Sequence, residues 1–296
     1  MLDGATAFAL PVNKGQRMEV KRGRGSDIKW KSFCPDGKEW FSGNCSLFDL
    51  KFEKFTDKTI AEKLSAILYE ACRLNSDFLS QWYGFKVATH LEFNRNWGLG
   101  SSSSLVYCIA QWADVEPYEL YERTFGGSGY DIACAKADGP LLFTRNADEI
   151  NVSPVDFEPD FHNNLHFVYL GKKMNSREAI AHFGNLKKKV QRSVIEEVSS
   201  LSKLCATASQ LDDFCKILQQ TEELVEKELK LPRIQKSEFQ DFEGTIKSLG
   251  AWGGDFILAA SLLPTDYVRQ YFEKRNLKTV IPFSELTSLE KAFHPA

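Results

Sequence analysis

A run of glycine and serine, Gly-Leu-Gly-Ser-Ser-Ser-Ser, occupies residues 98–104 and is followed directly by an apolar run over 105–110. The two glycines allow a tight backbone turn and leave no Cβ atom between the backbone and a ligand. The serines can cap the helix that begins here and can supply hydroxyl groups. Because the amide groups and the dipole at a helix start attract anions, the pattern indicates either a phosphate-binding loop or an ordinary capped helix. It is not a Walker A loop, since no Gly-Lys-Ser or Gly-Lys-Thr follows.

The composition is that of a soluble globular protein, with 296 residues, 43% apolar and 26% charged. The net charge of −3 gives no electrostatic reason to expect binding to nucleic acid or to a membrane. No apolar run approaches the roughly 20 residues that span a bilayer, and the N-terminus does not read as a signal peptide. We therefore expect a cytoplasmic protein that has no nucleic-acid or membrane partner and keeps its seven cysteines as free thiols.

Hydrophobic periodicity predicts both helices and strands. Apolar residues at helical spacing predict a helix over 58–75, and alternation predicts a strand over 84–93. We also expect strands over 16–20, 27–32, 38–41, 46–52 and 165–170, and helices over 187–208, 211–231 and 237–249. Two prolines and few periodic apolar positions in 151–164 favour a domain boundary there. The expected domains are 1–155 and 156–296.

Two further glycine-rich segments follow the first along the chain. Residues 126–131 read Gly-Gly-Ser-Gly-Tyr-Asp, and residues 249–254 read Leu-Gly-Ala-Trp-Gly-Gly. Separate glycine-rich loops can close round one phosphorylated ligand, although glycine also serves in ordinary turns. Their order and spacing carry more weight than either segment alone.

The three segments resemble motifs of the GHMP kinases, named for galactokinase, homoserine kinase, mevalonate kinase and phosphomevalonate kinase. The phosphate loop of these kinases, Pro-x-x-x-Gly-Leu-Gly-Ser-Ser-Ala, is similar to residues 94–103, although the proline is absent here. Their Pro-Ser-Gly-Val-Asp resembles residues 127–131, and their Thr-Gly-Ala-Gly-Gly-Gly resembles residues 249–254, where Trp252 replaces a glycine. The run Gly-Tyr-Asp-Ile-Ala over 129–133 resembles the subgroup labelled by that sequence.

This resemblance covers nearly the whole chain and implies an α+β fold of two lobes. The N-terminal lobe would be a mixed α/β lobe similar to ribosomal proteins, and the C-terminal lobe would be ferredoxin-like. The resemblance also implies transfer of a phosphoryl group from ATP, with magnesium, to mevalonate or 5-phosphomevalonate in isoprenoid biosynthesis. We therefore expect a monomer or homodimer whose partner is a small-molecule substrate. Two alternatives stay open: an enzyme like mevalonate diphosphate decarboxylase, which shares the fold, and a non-catalytic nucleotide-binding homologue.

The resemblance assigns a role to each matched residue. Asp131 would orient or deprotonate the acceptor hydroxyl, and Ser102 and Glu122 would reach magnesium. The residues expected to hold the ATP phosphates are Gly98, Leu99, Gly100, Ser101, Ser102 and Ser103. Those expected to close over substrate or phosphate are Gly129, Tyr130, Gly250, Gly253, Gly254 and Lys173. The plainer alternatives are a turn acid for Asp131, a helix cap for Ser102 and a solvated helix residue for Glu122.

Two other features bear on the substrate. Lys172, Lys173 and Arg177 surround an expected helix start, which would suit an acceptor that already carries phosphate or would simply form a capped surface helix. The family's first strand, with its lysine and its Gly-Glu-His or Gly-Glu-Tyr, has no counterpart, because residues 1–7 resemble only the end of that segment. A chain that begins at Met1 is therefore expected to lack some substrate contacts.

Overall fold

The computed structural model describes residue 1 and residues 3–146, 149–172, 190–250 and 254–287, and these form an α+β fold with mixed sheets. Strands β1 to β12 span Ala7–Ala9, Gln16–Arg22, Asp27–Phe33, Glu39–Ser46, Phe52–Phe55, Phe85–Leu91, Leu141–Asn146, Glu149–Pro154, Leu165–Tyr169, Thr245–Ser248, Phe256–Ala260 and Val280–Pro282. Helices α1 to α9 span Lys58–Leu74, Ser101–Ala113, Pro117–Thr124, Tyr130–Lys136, Arg192–Ala206, Leu211–Leu229, Ile234–Glu238, Thr265–Glu273 and Phe283–Leu286. The predicted α+β class is confirmed.

The chain divides into two compact units. The first unit contains Met1–Asn13, Asn96–Gly98 and Ala137–Ala296, and the second contains Lys14–Arg95 and Leu99–Lys136. The chain passes from one unit to the other inside the glycine–serine loop, between residues 98 and 99. The domains expected over 1–155 and 156–296 stay a prediction.

The second unit is built on a five-stranded sheet in the order β2-β6-β3-β4-β5. Strands β3 and β6 are parallel and the other pairs are antiparallel, so the sheet is mixed. Helix α1 begins after Asp57, whose carboxylate accepts the N–H of Ile60 at 3.0 Å. Its buried side chains occur at the predicted helical spacing and join the core around Trp30 and Phe41.

Helix α2 contributes its apolar face to the same core. Val106, Ile109 and Ala110 are fully buried, and a buried aliphatic side chain of the larger kind contributes about 1.5–3 kcal/mol to folding. The Oγ atom of Ser104 donates to Oε1 of Gln16 at 2.9 Å, which ties the first turn of the helix to β2. The start of α2 is therefore held by both packing and hydrogen bonding.

The first unit contains an antiparallel four-stranded sheet in the order β10-β11-β9-β12, and a three-stranded sheet in the order β1-β7-β8. Every side chain of β11 is buried, which explains its uninterrupted apolar sequence. Phe239, Phe242 and Phe272 form an aromatic core beside this sheet. Helix α6 buries Phe214 and Leu218 on its apolar face, and the Phe214 ring packs against the rings of Phe157 and Phe161 rather than against this aromatic core.

The prediction of a helix over 237–249 is wrong. Helix α7 ends at Glu238, and Thr245–Ser248 forms a strand that pairs with β11. Phe239, Phe242 and Ile246 have helical spacing and are all buried, but Gly244 between them has a φ of +158° and lies against the backbone of β11. The spacing therefore arises from a turn and a strand that bury apolar side chains on the same side.

The strand expected over 46–52 is also wrong. Strand β4 ends at Ser46, the chain turns, and β5 begins at Phe52. Leu50 has a φ of +54° in this turn, which is incompatible with a continuous strand.

Among the helices of the described residues, none combines the length and the apolar character needed to cross a membrane.

Candidate functional site

The glycine–serine loop contains two residues in left-handed backbone conformation. Gly98 has a φ of +67° and Gly100 a φ of +74°, a region that L-residues with a side chain rarely adopt. A short 3₁₀ turn, Arg95–Trp97, leads into Gly98, and Leu99 lies half-buried between the two glycines. These backbone angles are typical of a tight turn, and the role of the two glycines at a phosphate group stays a prediction.

The sequence pattern indicates that a serine caps the start of α2, but the structure shows no serine cap there. The N-cap residue is Gly100, which has no side chain to accept the amides that follow it. The N–H of Ser104 already donates to the carbonyl of Gly100 at 2.9 Å, so the amides without an intrahelical acceptor are those of residues 101–103. Ser102 is exposed in this turn, whereas Ser103 is buried. Three helix-start amides without a capping side chain can bind an anion.

Asp131 lies next to this helix start, within the same unit. A Cβ atom built on Gly100 would be 4.0 Å from the Cβ atom of Asp131. No other atom of the described residues is nearer than 4 Å to that position, except in the adjoining residues. The structure therefore brings two predicted elements, the glycine–serine loop and the acid, to van der Waals distance of each other.

The second glycine-rich segment positions the acid. Gly126, Gly127 and Gly129 all have positive φ, at +68°, +107° and +79°. The carbonyl of Gly129 accepts the amides of residues 132 and 133, which starts α4 and places Asp131 in its first turn. The Oγ atom of Ser128 accepts the N–H of Tyr130 at 3.3 Å. The glycines thus make a compact turn that ends at the carboxylate.

Burial changes the acidity of the groups in α4. It raises the pKa of the Asp131 carboxyl above its usual range, because the charged form loses hydration. Burial also raises the pKa of the Tyr130 phenol, and burial with the nearby Asp131 charge raises the pKa of the Cys134 thiol to about 12. A carboxylate with a raised pKa is a stronger base, which suits proton abstraction from a hydroxyl.

Gly98 has its own partner in the first unit. A Cβ atom at Gly98 would overlap the carboxylate of Asp255, which directly precedes β11. The hydroxyl of Tyr169, at the end of β9, donates to the carbonyl of Asn96 at 3.0 Å. Sequence reasoning missed both Asp255 and Tyr169. The available signal was that Asp255 follows the third glycine-rich segment and that Tyr169 lies in the strand predicted over 165–170.

The remaining predicted residues are spread over several elements. Glu122 is exposed on α3. Gly250 has a φ of +65° in the turn after β10, and Gly254 is buried just before β11. Lys173 and Gly253 lie outside the described residues. Within the described part of the chain, no three His, Cys, Asp or Glu side chains are grouped so as to hold a metal ion.

No family model matches the sequence, and no curated protein matches it. Solved structures do match the fold. L. major mevalonate kinase, solved in complex with R-mevalonate, is 15% identical with a TM-score of 0.64, over 94% of this chain and 88% of that chain. Streptococcus pneumoniae phosphomevalonate kinase, solved with phosphomevalonate and AMPPNP, is 15% identical with a TM-score of 0.60, over 94% and 98%.

Lactococcus lactis galactokinase, solved with galactose, is 11% identical with a TM-score of 0.62, over 94% of this chain and 87% of that chain. At such identities the likeness is one of fold. The protein therefore has the fold of the GHMP kinases over nearly its whole length. This agrees with the fold class that the sequence motifs predict.

Proposed function

We propose that this protein transfers the γ-phosphoryl group of ATP to a small acceptor of the mevalonate type. The observation that carries the proposal is the position of Asp131, whose Cβ atom lies 4.0 Å from the Cβ position of Gly100 at an uncapped helix start. An anion site and a partly buried base are thereby adjacent. The fold of kinases solved with mevalonate, and with phosphomevalonate and AMPPNP, supports this reading.

The helix start holds the phosphates in this proposal. The amides of residues 101–103 donate to phosphate oxygens, and the left-handed turns at Gly98 and Gly100 let the backbone approach them. Phosphoryl transfer depends mainly on positioning and charge neutralisation, so a rigid set of amide donors is appropriate. Closure over the phosphates by residues 250, 253 and 254 stays a prediction from the sequence motif.

Asp131 acts on the acceptor. Its carboxylate accepts the proton of the acceptor hydroxyl while that oxygen attacks the γ-phosphorus and the β–γ bridging oxygen leaves with ADP. A phosphate acceptor has largely lost its proton at neutral pH, so a base in this position is of more use to a hydroxyl acceptor. We therefore place mevalonate before 5-phosphomevalonate as acceptor. Tyr130 and Gly129 border the carboxylate along the chain and would lie close to that acceptor.

The residues present fit a magnesium ion whose ligands are mainly phosphate oxygens of the nucleotide and water. Mg²⁺ keeps several waters and binds phosphate oxygens, so one or two protein oxygens suffice. Ser102 offers an exposed hydroxyl in the first turn of α2 and would be one of them, with Glu122 as the second that the family resemblance implies. When bound, the ion would offset the negative charge of the phosphates.

The test is ADP release with Mg²⁺-ATP in the presence of mevalonate, 5-phosphomevalonate, homoserine or galactose. We expect turnover with a mevalonate-type acceptor that falls by about 10²- to 10⁴-fold in Asp131→Asn, the usual contribution of a general base. Asp138→Asn is the matched control, because Asp138 is exposed just beyond α4, and its turnover should equal that of the wild type.

Other outcomes separate the alternatives. Release of carbon dioxide from mevalonate diphosphate would indicate a decarboxylase. Binding of ADP without turnover on any of the four acceptors would contradict the mevalonate assignment and favour a nucleotide-binding protein. Equal turnover in Asp131→Asn and wild type would exclude Asp131 as the base.

A further inference from the structure

The short segment that leads into the glycine–serine loop is held by aromatic residues of the first unit. The hydroxyl of Tyr169 donates to the carbonyl of Asn96 at 3.0 Å. The Trp97 ring packs edge-on against Phe256, with 5.7 Å between ring centroids, and its centroid is 6.4 Å from that of Tyr169. Two consecutive residues before Gly98 are therefore fixed, one by a hydrogen bond and one by ring packing.

The residues that hold this segment form a cross-strand pair. Tyr169 of β9 is the register partner of Phe256 of β11, and their ring centroids are 5.4 Å apart. The N–H of Leu170 donates to the carbonyl of Asp255 at 2.9 Å, so the pairing extends one residue beyond the strand. The two aromatic residues that hold residues 96 and 97 are thus part of the sheet itself.

Asp255 completes this arrangement at the first glycine of the loop. Its carboxylate occupies the space that a side chain at residue 98 would need. Burial raises the pKa of the Tyr169 phenol, and the negative charge of Asp255 adds to this rise, which agrees with their proximity. The turn at Gly98 is confined by its own backbone conformation and by the neighbouring carboxylate.

We infer that Tyr169 is a positioning residue that holds Asn96 and Trp97 so that the proposed phosphate loop is ordered before nucleotide binds. The inference rests on the proposed function. A loop that is already ordered loses less conformational entropy when its ligand binds, so preorganisation strengthens binding. Tyr169 acts through the backbone of residue 96 and has no assigned contact with substrate.

Tyr169→Phe tests this directly, because it keeps the ring and removes only the hydroxyl. Loss of one hydrogen bond predicts that the Kd for Mg²⁺-ADP, measured by calorimetry, rises by about 3- to 10-fold. The KM for ATP should rise in parallel, while the KM for the acceptor stays the same. Tyr267→Phe is the matched control, since the hydroxyl of Tyr267 also bonds a backbone group, the N–H of Glu243, at 3.0 Å in the same unit.

Hydrogen exchange gives a readout that does not depend on nucleotide. A peptide covering residues 94–105 should exchange faster in Tyr169→Phe than in wild type or in Tyr267→Phe, with similar melting temperatures for the two variants. Unchanged exchange and an unchanged Kd for Mg²⁺-ADP in Tyr169→Phe would overturn this inference alone. Failure of the wild-type chain to bind Mg²⁺-ADP would overturn the proposed function and this inference together.

Discussion

Gly100 and Asp131 are neighbours at the start of α2, with 4.0 Å between the Cβ atom of the aspartate and the position a Cβ atom would take on the glycine. Gly100 has left-handed backbone at the start of α2, and a glycine turn precedes Asp131 in the first turn of α4. Two separate glycine-rich segments thus place a helix start without a capping side chain beside a carboxylate. The carboxylate loses hydration there, which has a measurable effect on stability.

Asp131→Asn should make the protein more stable while it lowers turnover. The pKa of Asp131 is raised on folding, so folding favours the protonated form, and stability is lost as pH rises through that raised value. The Asp131→Asn variant has no carboxyl group at this position, so it does not lose stability in this way as pH rises. We expect a gain of about 0.5–2 kcal/mol at pH 8, typical of a relieved functional site, and little difference below pH 3.8, measured by urea unfolding.

Asp138→Asn again provides the comparison, since an exposed substitution changes stability by about 0.5 kcal/mol or less. If Asp131→Asn proved less stable than Asp138→Asn at pH 8, hydrogen bonds to the carboxylate would outweigh its lost hydration. The pH dependence is therefore as informative as the value at one pH.

Alanine substitutions at the two glycines of the loop should lower the free energy of unfolding by different amounts. Gly100→Ala forces a side chain into left-handed backbone but makes only an ordinary van der Waals contact, with the Cβ atom of Asp131 at 4.0 Å, so it should cost about 1–2 kcal/mol. Gly98→Ala suffers the same strain and also overlaps the carboxylate of Asp255, so its free energy of unfolding should fall further. Gly37→Ala is the control for strain alone, because Gly37 has a φ of +78° and no neighbour within 4 Å.

The overlap at Gly98 has a test of its own. Adding Asp255→Ala to Gly98→Ala should restore part of the lost stability, while Asp255→Ala added to Gly37→Ala should restore none. A drop for Gly98→Ala no larger than that for Gly37→Ala would show that Asp255 moves aside at little cost. Denaturant unfolding of each variant gives the comparison.

The sequence was most informative where structure depends on neighbours along the chain. Helix α1 and the loop before α2 follow from residue spacing and glycine content, and both lie close to their predicted positions. The prediction of a helix after Glu238 was wrong because the structure there depends on residues beyond the immediate neighbours along the chain. The strand in this region exists because it pairs with β11, and the apolar spacing alone favours a helix. Local periodicity cannot distinguish these when a turn brings buried aromatic residues into register.

The candidate site divides in the same way. Gly100 and Asp131 could be selected from motifs, although only the structure shows them side by side. Tyr169 and Asp255 could not be selected, because their contacts with residues 96–98 depend on the pairing of β9 with β11, which are far apart in sequence. The serine cap was mispredicted because Gly100 takes the N-cap position and the serines follow it inside the first turn of α2, where they no longer act as the cap.

The buried ion pair between Glu222 and Lys247 should be stabilising only as a pair. Nζ of Lys247 lies 3.0 Å from Oε1 of Glu222, and the glutamate side chain is 2% exposed. Burial raises the pKa of Glu222, and the lysine charge opposes that rise. Lys247→Met leaves the carboxylate without this charge, so it should cost about 3–5 kcal/mol, measured by denaturant unfolding.

Combining Lys247→Met with Glu222→Leu should recover most of that loss, because an apolar pair of similar volume can replace a buried ion pair. Lys216→Met is the matched single substitution. Its partner Asp213 is 3.3 Å away and both side chains are exposed, so the change should stay below about 1 kcal/mol. Equal costs for the two lysine substitutions would mean that the buried pair contributes no more than a surface one.

His166 should make the first unit sensitive to mild acid. It is fully buried on β9, and its Nε2 atom lies 3.1 Å from the hydroxyl oxygen of Thr265. Burial, with a smaller effect from the charge of Arg269, lowers the pKa of His166 below its usual value, so the folded protein holds it neutral. The unfolded chain takes up the proton near pH 6.5, and stability is therefore lost as pH falls through that value towards the lowered pKa.

His166→Gln should remove this dependence. Between pH 7.5 and 5.5 the wild type should lose up to about 1.4 kcal/mol more than the variant, the limit set by one histidine that titrates only when unfolded. Urea unfolding at the two pH values measures the difference, and His162→Gln serves as control because His162 is only half-buried. If His166→Gln and wild type lost equal stability on acidification, the buried imidazole would have to gain its proton without unfolding, by local rearrangement around Thr265.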